Sequence, residues 1–406
     1  MKLIIVTRLN PYFENSASAN RLLSLIEGLL YQKVLIKLFF TGGVLSGNEI
    51  INMQNISDDK GITYCYLSSL SNQTLWNRRF NRYLIEPLLK RFLKRKLLSY
   101  ILRENANLVW TNSELESFEL VIALKKRNPN LNTFIEMSEF LDIHHYNLGN
   151  VFQKKIADKR QYLFESKGIY AYNGFALMTK TLFNHYSNFK GSLPRLLHLP
   201  MTVDLERFSN ATNDSISKTL LQPYIAFVGV MDNKKEGVSI LIDAFAKVAN
   251  HFPKLNLYLF GPYNYDTPGH LKQIEKLNLS EKIHYGGEIN RNAIPSILLN
   301  AKLLVLPRPD SKQAQGGFPT KLGEYLASGK PVCATRVGEI PDYLIDNESV
   351  FFAEPGSVDS FADAISRSMN NPNQSIKVGL NGKKVAETYF NKDIQSKLLF
   401  DFLKQL

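Results

Sequence analysis

The sequence is poor in cysteine and has no long hydrophobic run. Its two cysteines, Cys65 and Cys333, are too few and too far apart for a disulfide framework or a cysteine-based metal cluster. No apolar stretch approaches the roughly 20 residues that span a bilayer. The first stretch, "KLIIVT", is followed by Arg8 and Pro11, so it indicates a β-strand and not a signal peptide. These absences predict a cytoplasmic protein.

Acidic residues are also few relative to basic ones. The chain has 37 Asp and Glu against 49 Lys and Arg, which gives a net charge of +12. Such an excess suits phosphorylated ligands, an anionic membrane surface or nucleic acid. We expect no nucleic-acid partner, because the sequence contains no nucleic-acid-binding motif and much of the charge lies in one segment.

That segment, residues 78–103, has nine basic residues and a single acid, Glu86. Ile85, Leu88, Leu89 and Phe92 share one stripe at helical spacing. Two interpretations remain open. The segment is an amphipathic helix that lies on anionic lipid, or it is a packed helix with a solvated charged face.

Short apolar runs alternate with helical patterns along the whole chain. The predicted strands are 2–7, 34–40, 107–110, 132–136, 174–178, 195–199, 224–230, 255–260, 282–285, 303–306, 331–335 and 350–352. The predicted helices are 18–32, 80–103, 114–126, 153–167, 237–251, 267–277, 291–300, 320–328, 357–371 and 377–403. Continuous apolar strands between helices indicate parallel sheets that are covered on both faces. Because the pattern runs twice, we predict an α/β protein with two Rossmann-like domains.

The domain boundary is predicted from composition. Residues 209–222 are polar and unpatterned, as expected of a linker. We therefore expect an N-terminal domain over 1–200, a C-terminal domain over 201–385, and a final helix over 386–406 that packs back toward the N-terminal domain. Ligands of open α/β sheets bind at the carboxyl ends of the strands, so we expect the ligand between two facing domains.

The stretch "GGFPTKLGEYLASGKPV" at 316–332 combines a glycine pair with a helix start. Gly316 and Gly317 let the backbone approach another group closely, and Pro319 or Thr320 opens the helix. Free N–H groups at a helix start attract anions. Taken alone, however, the stretch also fits an ordinary strand-to-helix turn of a Rossmann-like unit.

Basic residues follow neighbouring strands of the same predicted domain. Arg308 follows strand 303–306, Lys234 and Lys235 follow strand 224–230, and Lys321 lies on the helix just described. The carboxyl ends of parallel strands meet at one edge of a sheet, so these charges should converge. Two cations and a helix start suffice to hold a diphosphate without a metal ion.

Five motifs in order resemble glycosyltransferase family 4. They are "PMTVDLERF" (200–208), "VGVMDNKKEGVSILIDAFAKV" (228–248), "ILLNAKLLVLPRP" (297–309), "GFPTKLGEYLASGKPV" (317–332) and "VGEIPDYL" (337–344), and the resemblance covers about 200–390. It implies the GT-B fold, with two Rossmann-like domains facing across a cleft. It also implies retaining sugar transfer from a UDP- or GDP-linked donor to a glycan or lipid-linked acceptor, without metal or cofactor, in cell-surface polysaccharide assembly.

The resemblance assigns roles by position. Lys235, with Lys234 beside it, matches the lysine that contacts the donor diphosphate, and Glu324 matches the glutamate that binds the ribose hydroxyls. The backbone amides from Phe318 to Lys321 would take the distal phosphate. The full predicted donor-binding set is Gly229, Lys234, Lys235, Arg308, Gly317, Phe318, Pro319, Thr320, Lys321 and Glu324.

The chain departs from the family pattern at two donor positions, and the histidine that the family has after a strand of its N-terminal domain has no obvious counterpart here. Gly316 stands where the family often has a first glutamate, and Val230 stands where it has an arginine. We hypothesise that Arg308 supplies the missing charge and is catalytic together with Lys235. A catalytically inactive sugar-nucleotide-binding subunit and a basic scaffold remain as alternatives.

The N-terminal half offers weaker candidates. The segment "FIEMSEF" (134–140) holds Glu136 and Glu139, either catalytic residues or ordinary acids at a strand end. The loop before the first helix holds Ser16, Ala17 and Ser18, which either contact the donor or acceptor or simply cap that helix.

Overall fold

The computed structural model describes residues 1–8, 10–13, 16–42, 56–57, 62–67, 70–71, 73–111, 117–140, 151–191, 194–209 and 219–406. The chain forms two compact units, residues Met1–Pro200 with Gln395–Leu406 and residues Met201–Ile394. Within the described ranges, no helix is both long enough and apolar enough to cross a bilayer.

The first unit contains an eight-stranded sheet. Its strands are Lys2–Thr7 (β1), Leu35–Phe40 (β2), Ile56–Ser57 (β3), Thr63–Tyr66 (β4), Leu108–Thr111 (β5), Asn132–Met137 (β6), Gly174–Leu177 (β7) and Arg195–His198 (β8). They lie in the order β3-β4-β2-β1-β5-β6-β7-β8, and every pair is parallel except β3 with β4. Its helices are Ala17–Tyr31, Leu75–Phe80, Glu86–Arg103, Ser117–Arg127, Val151–Leu163 and Lys180–Ser187.

The second unit contains a six-stranded parallel sheet. Its strands are Tyr224–Val228 (β9), Asn256–Phe260 (β10), Ile283–Gly287 (β11), Leu303–Leu306 (β12), Val332–Thr335 (β13) and Phe351–Ala353 (β14), in the order β11-β10-β9-β12-β13-β14. Its helices are Glu206–Ser209, Asn233–Glu236, Val238–Val248, Thr267–Lys276, Ile294–Asn300, Lys312–Gly316, Thr320–Ala327, Ile340–Tyr343, Val358–Asn370 and Pro372–Val385. The last helix of the chain, Lys392–Leu403, runs from this unit into the first.

The strand order of the second unit reverses beside β9. From β9 the chain builds the sheet outward through β10 and β11, and then returns to the other side of β9 with β12. The order therefore reverses between β9 and β12, and the carboxyl ends of these two strands are where open α/β sheets bind ligands. Gly229 follows β9 and Pro307 follows β12.

The predicted α/β fold with parallel sheets is confirmed. Each of the predicted strands is present, with ends within two residues of the prediction. The strands were predictable because a strand of a covered parallel sheet is a continuous apolar run. The strands β1 and β9 are examples, since they are buried along almost their whole length. The strands β3 and β4 were not predicted from the sequence. The strand β4 reads "TYCY", which has no aliphatic run, and only its second half is buried.

Three helix predictions were wrong in detail, and the simplest case is 153–167, which consists of Val151–Leu163 and a π-helical turn over Phe164–Gly168. The predicted helix 80–103 begins earlier, at Leu75, where the Thr74 hydroxyl accepts from the amide of Asn77, and it contains a π-helical turn over Asn81–Ile85. The predicted helix 377–403 consists of Pro372–Val385, a π-helical turn over Ala386–Phe390, and Lys392–Leu403.

The break at Asn391, between the π-helical turn and the last helix, has a clear cause. Val203 pairs with Asn391, donates to the carbonyl of Phe390 at 2.7 Å and accepts from the amide of Lys392 at 3.1 Å. These bonds draw the chain out of the helix. Residues 386–394 consequently stay with the second unit, whereas we predicted that the final segment would separate at 386.

Candidate functional site

Lys321 lies directly beneath the end of β9. Its Nζ atom lies 4.8 Å from the centre of the Phe227 ring, and a Cβ atom at Gly229 would collide with that Nζ. Gly229 therefore leaves room for this amine to lie against the backbone at the carboxyl edge of the sheet. Gly229 and Lys321, which were predicted separately as donor-binding residues, thus lie in direct proximity in the structure.

Lys321 is paired with a buried acid. Its Nζ donates to Oε2 of Glu236 at 2.6 Å, and Glu236 is only 4% exposed. Burial lowers the pKa of Lys321, and Glu236 partly offsets that effect by favouring the charged form. The nearby charges of Arg308 and Lys235 lower this pKa further. The ammonium is thus desolvated, oriented and surrounded by further cations.

A short turn brings Glu236 inward. The Asp232 carboxylate caps the helix Asn233–Glu236 by accepting from the amide of Lys235 at 2.7 Å. Gly237 ends that helix at φ +70°, which favours glycine, and a Cβ there would collide with the carbonyl of Pro307. The turn therefore packs on the carboxyl end of β12. Lys234 and Lys235 are exposed on its outer side.

Arg308 is buried, which separates it from an ordinary surface charge. It is 4% exposed, and its Nη2 donates to the carbonyl of Gln313 at 3.3 Å. Its own carbonyl accepts from the hydroxyl of Thr335 at 2.5 Å, which connects the ends of β12 and β13. Arg308 thus lies, buried, at the predicted edge of the sheet.

The helix Thr320–Ala327 begins without a side-chain cap. Pro319 occupies the cap position with extended backbone angles, and the amide of Leu322 donates to its carbonyl at 2.9 Å. The Tyr325 hydroxyl accepts from the amide of Val228 at 2.8 Å and contacts its carbonyl at 3.3 Å, which fixes the helix against β9. Backbone amides at this helix start suit an anion.

The ring of Phe318 anchors the preceding turn. It is buried against the rings of Tyr343 and Phe390, with centroids 5.7 and 5.3 Å away. Gly317 and Gly316 are buried as well, and Gly316 is the last residue of the helix Lys312–Gly316. Gly316, where the resemblance leads us to expect a glutamate, therefore carries no side chain in this part of the site.

Glu324, the predicted ribose ligand, is held by a residue that the sequence analysis did not select. Arg207 Nη1 donates to Glu324 Oε1, and Arg207 Nη2 donates to the carbonyl of Arg291 at 2.7 Å. Arg207 lies inside the quoted motif "PMTVDLERF". Glu236, the partner of Lys321, was also not predicted as a site residue. A signal was present, because Glu236 directly precedes Gly237, and a turn at a left-handed glycine directs one neighbouring side chain inward.

In the first unit, the predicted loop residues form a helix start. The Ser16 hydroxyl accepts from the amide of Ala19 at 3.2 Å and lies 3.0 Å from the hydroxyl of Ser18. Ala17 is the first helical residue. The capping interpretation therefore describes Ser16, while contact with a donor or acceptor stays a prediction.

Glu136 participates in a buried network. It accepts from Arg21 Nε at 2.7 Å, and Arg21 also donates to the carbonyls of Leu199 and Pro200 at 2.8 Å. Arg21 is 4% exposed, so the network has a structural role, and a catalytic role for Glu136 stays a prediction. Glu139 lies two residues beyond β6 and is half-buried. The nearby histidines at 144 and 145 lie outside the described residues.

The chain is similar to known proteins in sequence and in fold. Residues 211–385 match the family described as Glycosyl transferases group 1. The chain is 24% identical over 200 residues to an MMP alpha-(1->4)-mannosyltransferase of Mycolicibacterium hassiacum, covering 49% of this chain and 46% of the relative. It is also 24% identical over 226 residues to a GDP-mannose-dependent phosphatidylinositol monomannoside mannosyltransferase of Corynebacterium glutamicum, covering 53% and 57%. The chain thus spans about half the length of these curated relatives.

Solved structures resemble the chain over its whole length. Sucrose-phosphate synthase of Thermosynechococcus elongatus has a TM-score of 0.79 at 17% identity, covering 100% of this chain and 98% of that one. The Anabaena protein HepE, solved with UDP, has a TM-score of 0.72 at 14% identity, with full coverage of both chains. The chain therefore has the GT-B fold of these structures, and its residues 211–385 match the sequence model of the group 1 glycosyl transferases.

Proposed function

We propose that this protein transfers a hexose from a nucleoside diphosphate sugar to a glycan or lipid-linked acceptor. The observation that carries the proposal is the buried Lys321 ammonium, which Glu236 holds under Gly229 at the switch point of the second sheet. The curated relatives support a hexose donor, since their names specify mannosyl transfer and, in one case, GDP-mannose. HepE was solved with UDP, which supports a uridine donor equally.

The chemistry that this edge favours is stabilisation of the leaving group. When the bond between the anomeric carbon and the diphosphate breaks, the electron pair moves to the phosphate oxygen. Lys321, Arg308 and the amides at the start of the helix Thr320–Ala327 would stabilise that charge. Lys235 is exposed nearby and would add a further cation. Retention of configuration, independence from metal ions and the role of Glu324 at the ribose are parts of this proposal.

A nucleotide screen tests the donor site. UDP, GDP and ADP at millimolar concentration should raise the melting temperature of the protein by different amounts, and the largest rise identifies the preferred nucleotide. The reason is that a ligand that binds only the folded state stabilises that state. The double variant Lys321→Met with Glu236→Gln removes the cation without leaving an unpaired charge. It should weaken binding of the preferred nucleotide at least about tenfold, or 1.4 kcal/mol. The exposed Lys247→Met serves as the matched control. Absence of any shift in the native chain would exclude a nucleotide site.

Arg308 is tested by turnover. Arg308→Ala should lower kcat/KM at least about tenfold, which corresponds to roughly 1.4 kcal/mol. Arg308→Lys should recover part of that loss, because it keeps the charge but not the fork of N–H donors. An unchanged rate in Arg308→Ala would remove Arg308 from the catalytic set.

The alternative, an inactive nucleotide-binding subunit, is favoured by Gly316 in place of the expected glutamate and by the lack of an obvious counterpart to the expected histidine in the N-terminal domain. Release of nucleotide from UDP- or GDP-linked hexoses on addition of a membrane extract would identify the enzyme. Proton NMR of the new linkage would show whether the donor configuration is kept, and EDTA during turnover would test metal independence. Nucleotide binding without release under every donor and acceptor condition would support the inactive subunit.

A lipid-linked acceptor would be reached at an anionic membrane surface, which we propose to be the inner face of the plasma membrane. The helices of residues 75–103 expose Trp76, Tyr83, Leu88 and Phe92, with Leu88 81% exposed. Leu88 and Phe92 of the apolar stripe are therefore exposed, which favours the membrane interpretation over a packed helix. The far end of the helix Glu86–Arg103 is anchored instead, because Leu97, Leu98 and Ile101 belong to a buried cluster.

The charges of this surface suit anionic lipid. Arg78 and Arg79 lie on the same helix as Trp76, and Arg95 lies on the same helix as Leu88 and Phe92. The single acid of the segment, Glu86, accepts from Arg8 at 2.8 Å and is thus neutralised. Exposed aromatic rings together with basic side chains are typical of helices that lie in a membrane interface.

Vesicle flotation tests this surface. Phosphatidylglycerol-containing vesicles should carry the protein at low salt, and high salt should release it because the attraction is screened. Phe92→Ser should weaken binding roughly tenfold, since burying such a side chain stabilises by about 1.5–3 kcal/mol. Tyr31→Ser, which removes an exposed ring elsewhere in the same unit, should change nothing. Absence of flotation at low salt would refute the membrane contact.

A further inference from the structure

We propose that Arg207 is a positioning residue that holds the Glu324 carboxylate ready for the hydroxyl groups of the donor ribose. The inference rests on the proposed function, because it assumes a nucleotide at the sheet edge. It adds a residue outside the predicted donor-binding set. It also assigns a donor-recognition task to the segment that opens the second unit, residues 201–209.

The contacts of Arg207 define the arrangement. One guanidinium nitrogen, Nη1, donates to Oε1 of Glu324, and the other, Nη2, donates to the carbonyl of Arg291 at 2.7 Å. The fork of N–H groups on a guanidinium is rigid and planar. A second bond to the backbone therefore fixes the direction from which the first nitrogen reaches Glu324.

The carboxylate is only partly used by this contact. Among the residues that the structure describes, Glu324 Oε2 accepts no hydrogen bond, and the side chain keeps about a quarter of its surface exposed, at 24%. An ionised carboxylate has about four lone-pair sites on its two oxygens. Arg207 occupies one of them, which leaves acceptors for two neighbouring hydroxyl groups.

The position of Glu324 connects this carboxylate to the phosphate site. Glu324 lies on the same helix, Thr320–Ala327, as Lys321, one turn further from the uncapped helix start. A nucleotide whose phosphates contact the helix start would extend along the helix surface toward that next turn. Arg207 and Arg291 come from segments separated from this helix in sequence and join it only in the folded unit.

Holding a carboxylate in one orientation strengthens binding by lowering the cost of ordering it. An arginine whose fork is already fixed loses little freedom when it holds its partner, and pre-organised groups bind more tightly. Hydrogen bonds that involve a charged group are also roughly twice as strong as neutral ones. The arrangement should therefore act on recognition of the ribose hydroxyls, and not on recognition of the phosphates.

Calorimetric titration of the full chain tests this assignment. The probes are the nucleoside diphosphate preferred in the screen, UDP or GDP, and its 2′-deoxy counterpart. The native chain should bind the ribonucleotide at least about tenfold more tightly than the deoxynucleotide. Arg207→Gln should reduce that ratio to less than about threefold. Arg207→Lys should give an intermediate ratio, because one ammonium does not reproduce the two fixed bonds of the fork.

Arg195→Gln is the matched control. Arg195 also bonds one backbone carbonyl and one side-chain oxygen, both on Gln405, but it belongs to the first unit. This variant should keep the native ratio. A merely structural effect of Arg207→Gln would lower the melting temperature and weaken both nucleotides equally, so the ratio separates positioning from stability.

The outcomes are distinct. A native ratio in folded Arg207→Gln, or no preference for the ribonucleotide in the native chain, overturns the role of Arg207 while the proposed function stands. Absence of binding of every nucleotide to the native chain overturns the proposed function, and the inference with it. If Arg207→Gln does not fold, Arg207→Lys decides, since an unchanged ratio in that variant refutes the need for the fork.

Discussion

Replacing Glu236 with glutamine tests whether the buried pair with Lys321 is as important as its geometry indicates. Glutamine keeps the size and one oxygen acceptor but removes the negative charge. Lys321 Nζ lies 2.6 Å from the carboxylate, and the two side chains are 17% and 6% exposed, so water replaces little of the lost interaction. Removing one partner of a buried pair typically costs about 3–5 kcal/mol, and a retained hydrogen bond lowers that figure. We expect a loss of roughly 2 kcal/mol in the free energy of unfolding.

A double-mutant cycle measures this value. In a unit of this size, roughly 2 kcal/mol corresponds to a fall of about 4–8 °C in melting temperature. Adding Lys321→Met to Glu236→Gln should restore part of the stability, because an apolar replacement of a buried ion pair is often neutral. Urea unfolding of the native chain, both single variants and the double variant gives the coupling energy. Additive effects, within about 0.5 kcal/mol, would refute the reasoning.

The pH dependence gives an independent check on the same variant. Burial lowers the pKa of Lys321 in the folded state, so the unfolded state binds more protons between that lowered pKa and the usual lysine range. Stability should therefore rise with pH across that window. Losing Glu236 lowers the pKa further, so the deficit of Glu236→Gln should shrink as the solution becomes alkaline. A deficit that grows with pH would contradict this assignment.

Three further predictions follow from single contacts. Nucleotide affinity should fall as pH rises through the lowered pKa of Lys321, below the usual lysine range, because the diphosphate needs the ammonium; calorimetry across the alkaline range measures this. Gly229→Ala should displace Lys321 Nζ and weaken nucleotide binding at least about tenfold, whereas Gly269→Ala, with open space around it, should leave binding unchanged. Arg21→Ala should cost about 3–5 kcal/mol in urea unfolding, since it leaves Glu136 and two backbone carbonyls without their donor; a loss below 1 kcal/mol would contradict that account.

The sequence was a good guide to the sheets. Strands such as β9 and β12 are short apolar runs, and their alternation with helices leaves a parallel sheet as the natural arrangement. The helix Thr320–Ala327 was predicted equally well, because Pro319 precedes its first residue and Gly329 follows shortly after its last. These features depend on neighbours in the chain, which the sequence shows directly.

Interruptions within helices could not be predicted from the sequence. The π-helical turn over Asn81–Ile85 and the break at Asn391 lie within patterns that continue on both sides. At Asn391 the reason is tertiary, because the backbone pairs with Val203, which lies far away in the sequence. No local signal at 391 specifies that partner.

The candidate site shows the same division. The sequence by itself determined the glycine-rich turn, the uncapped helix start and the presence of Lys321 and Glu324 on one helix. It offered three neighbouring charged residues at 234–236 without showing which one turns inward. Only the packing of Gly237 against Pro307 decided that Glu236 is buried and pairs with Lys321. Likewise, Arg207 and Glu324 lie 117 residues apart, and their pairing arises from the folding of the whole unit. Local backbone preferences are encoded in neighbouring residues, whereas the partner of a charged side chain depends on which distant segments the core brings together.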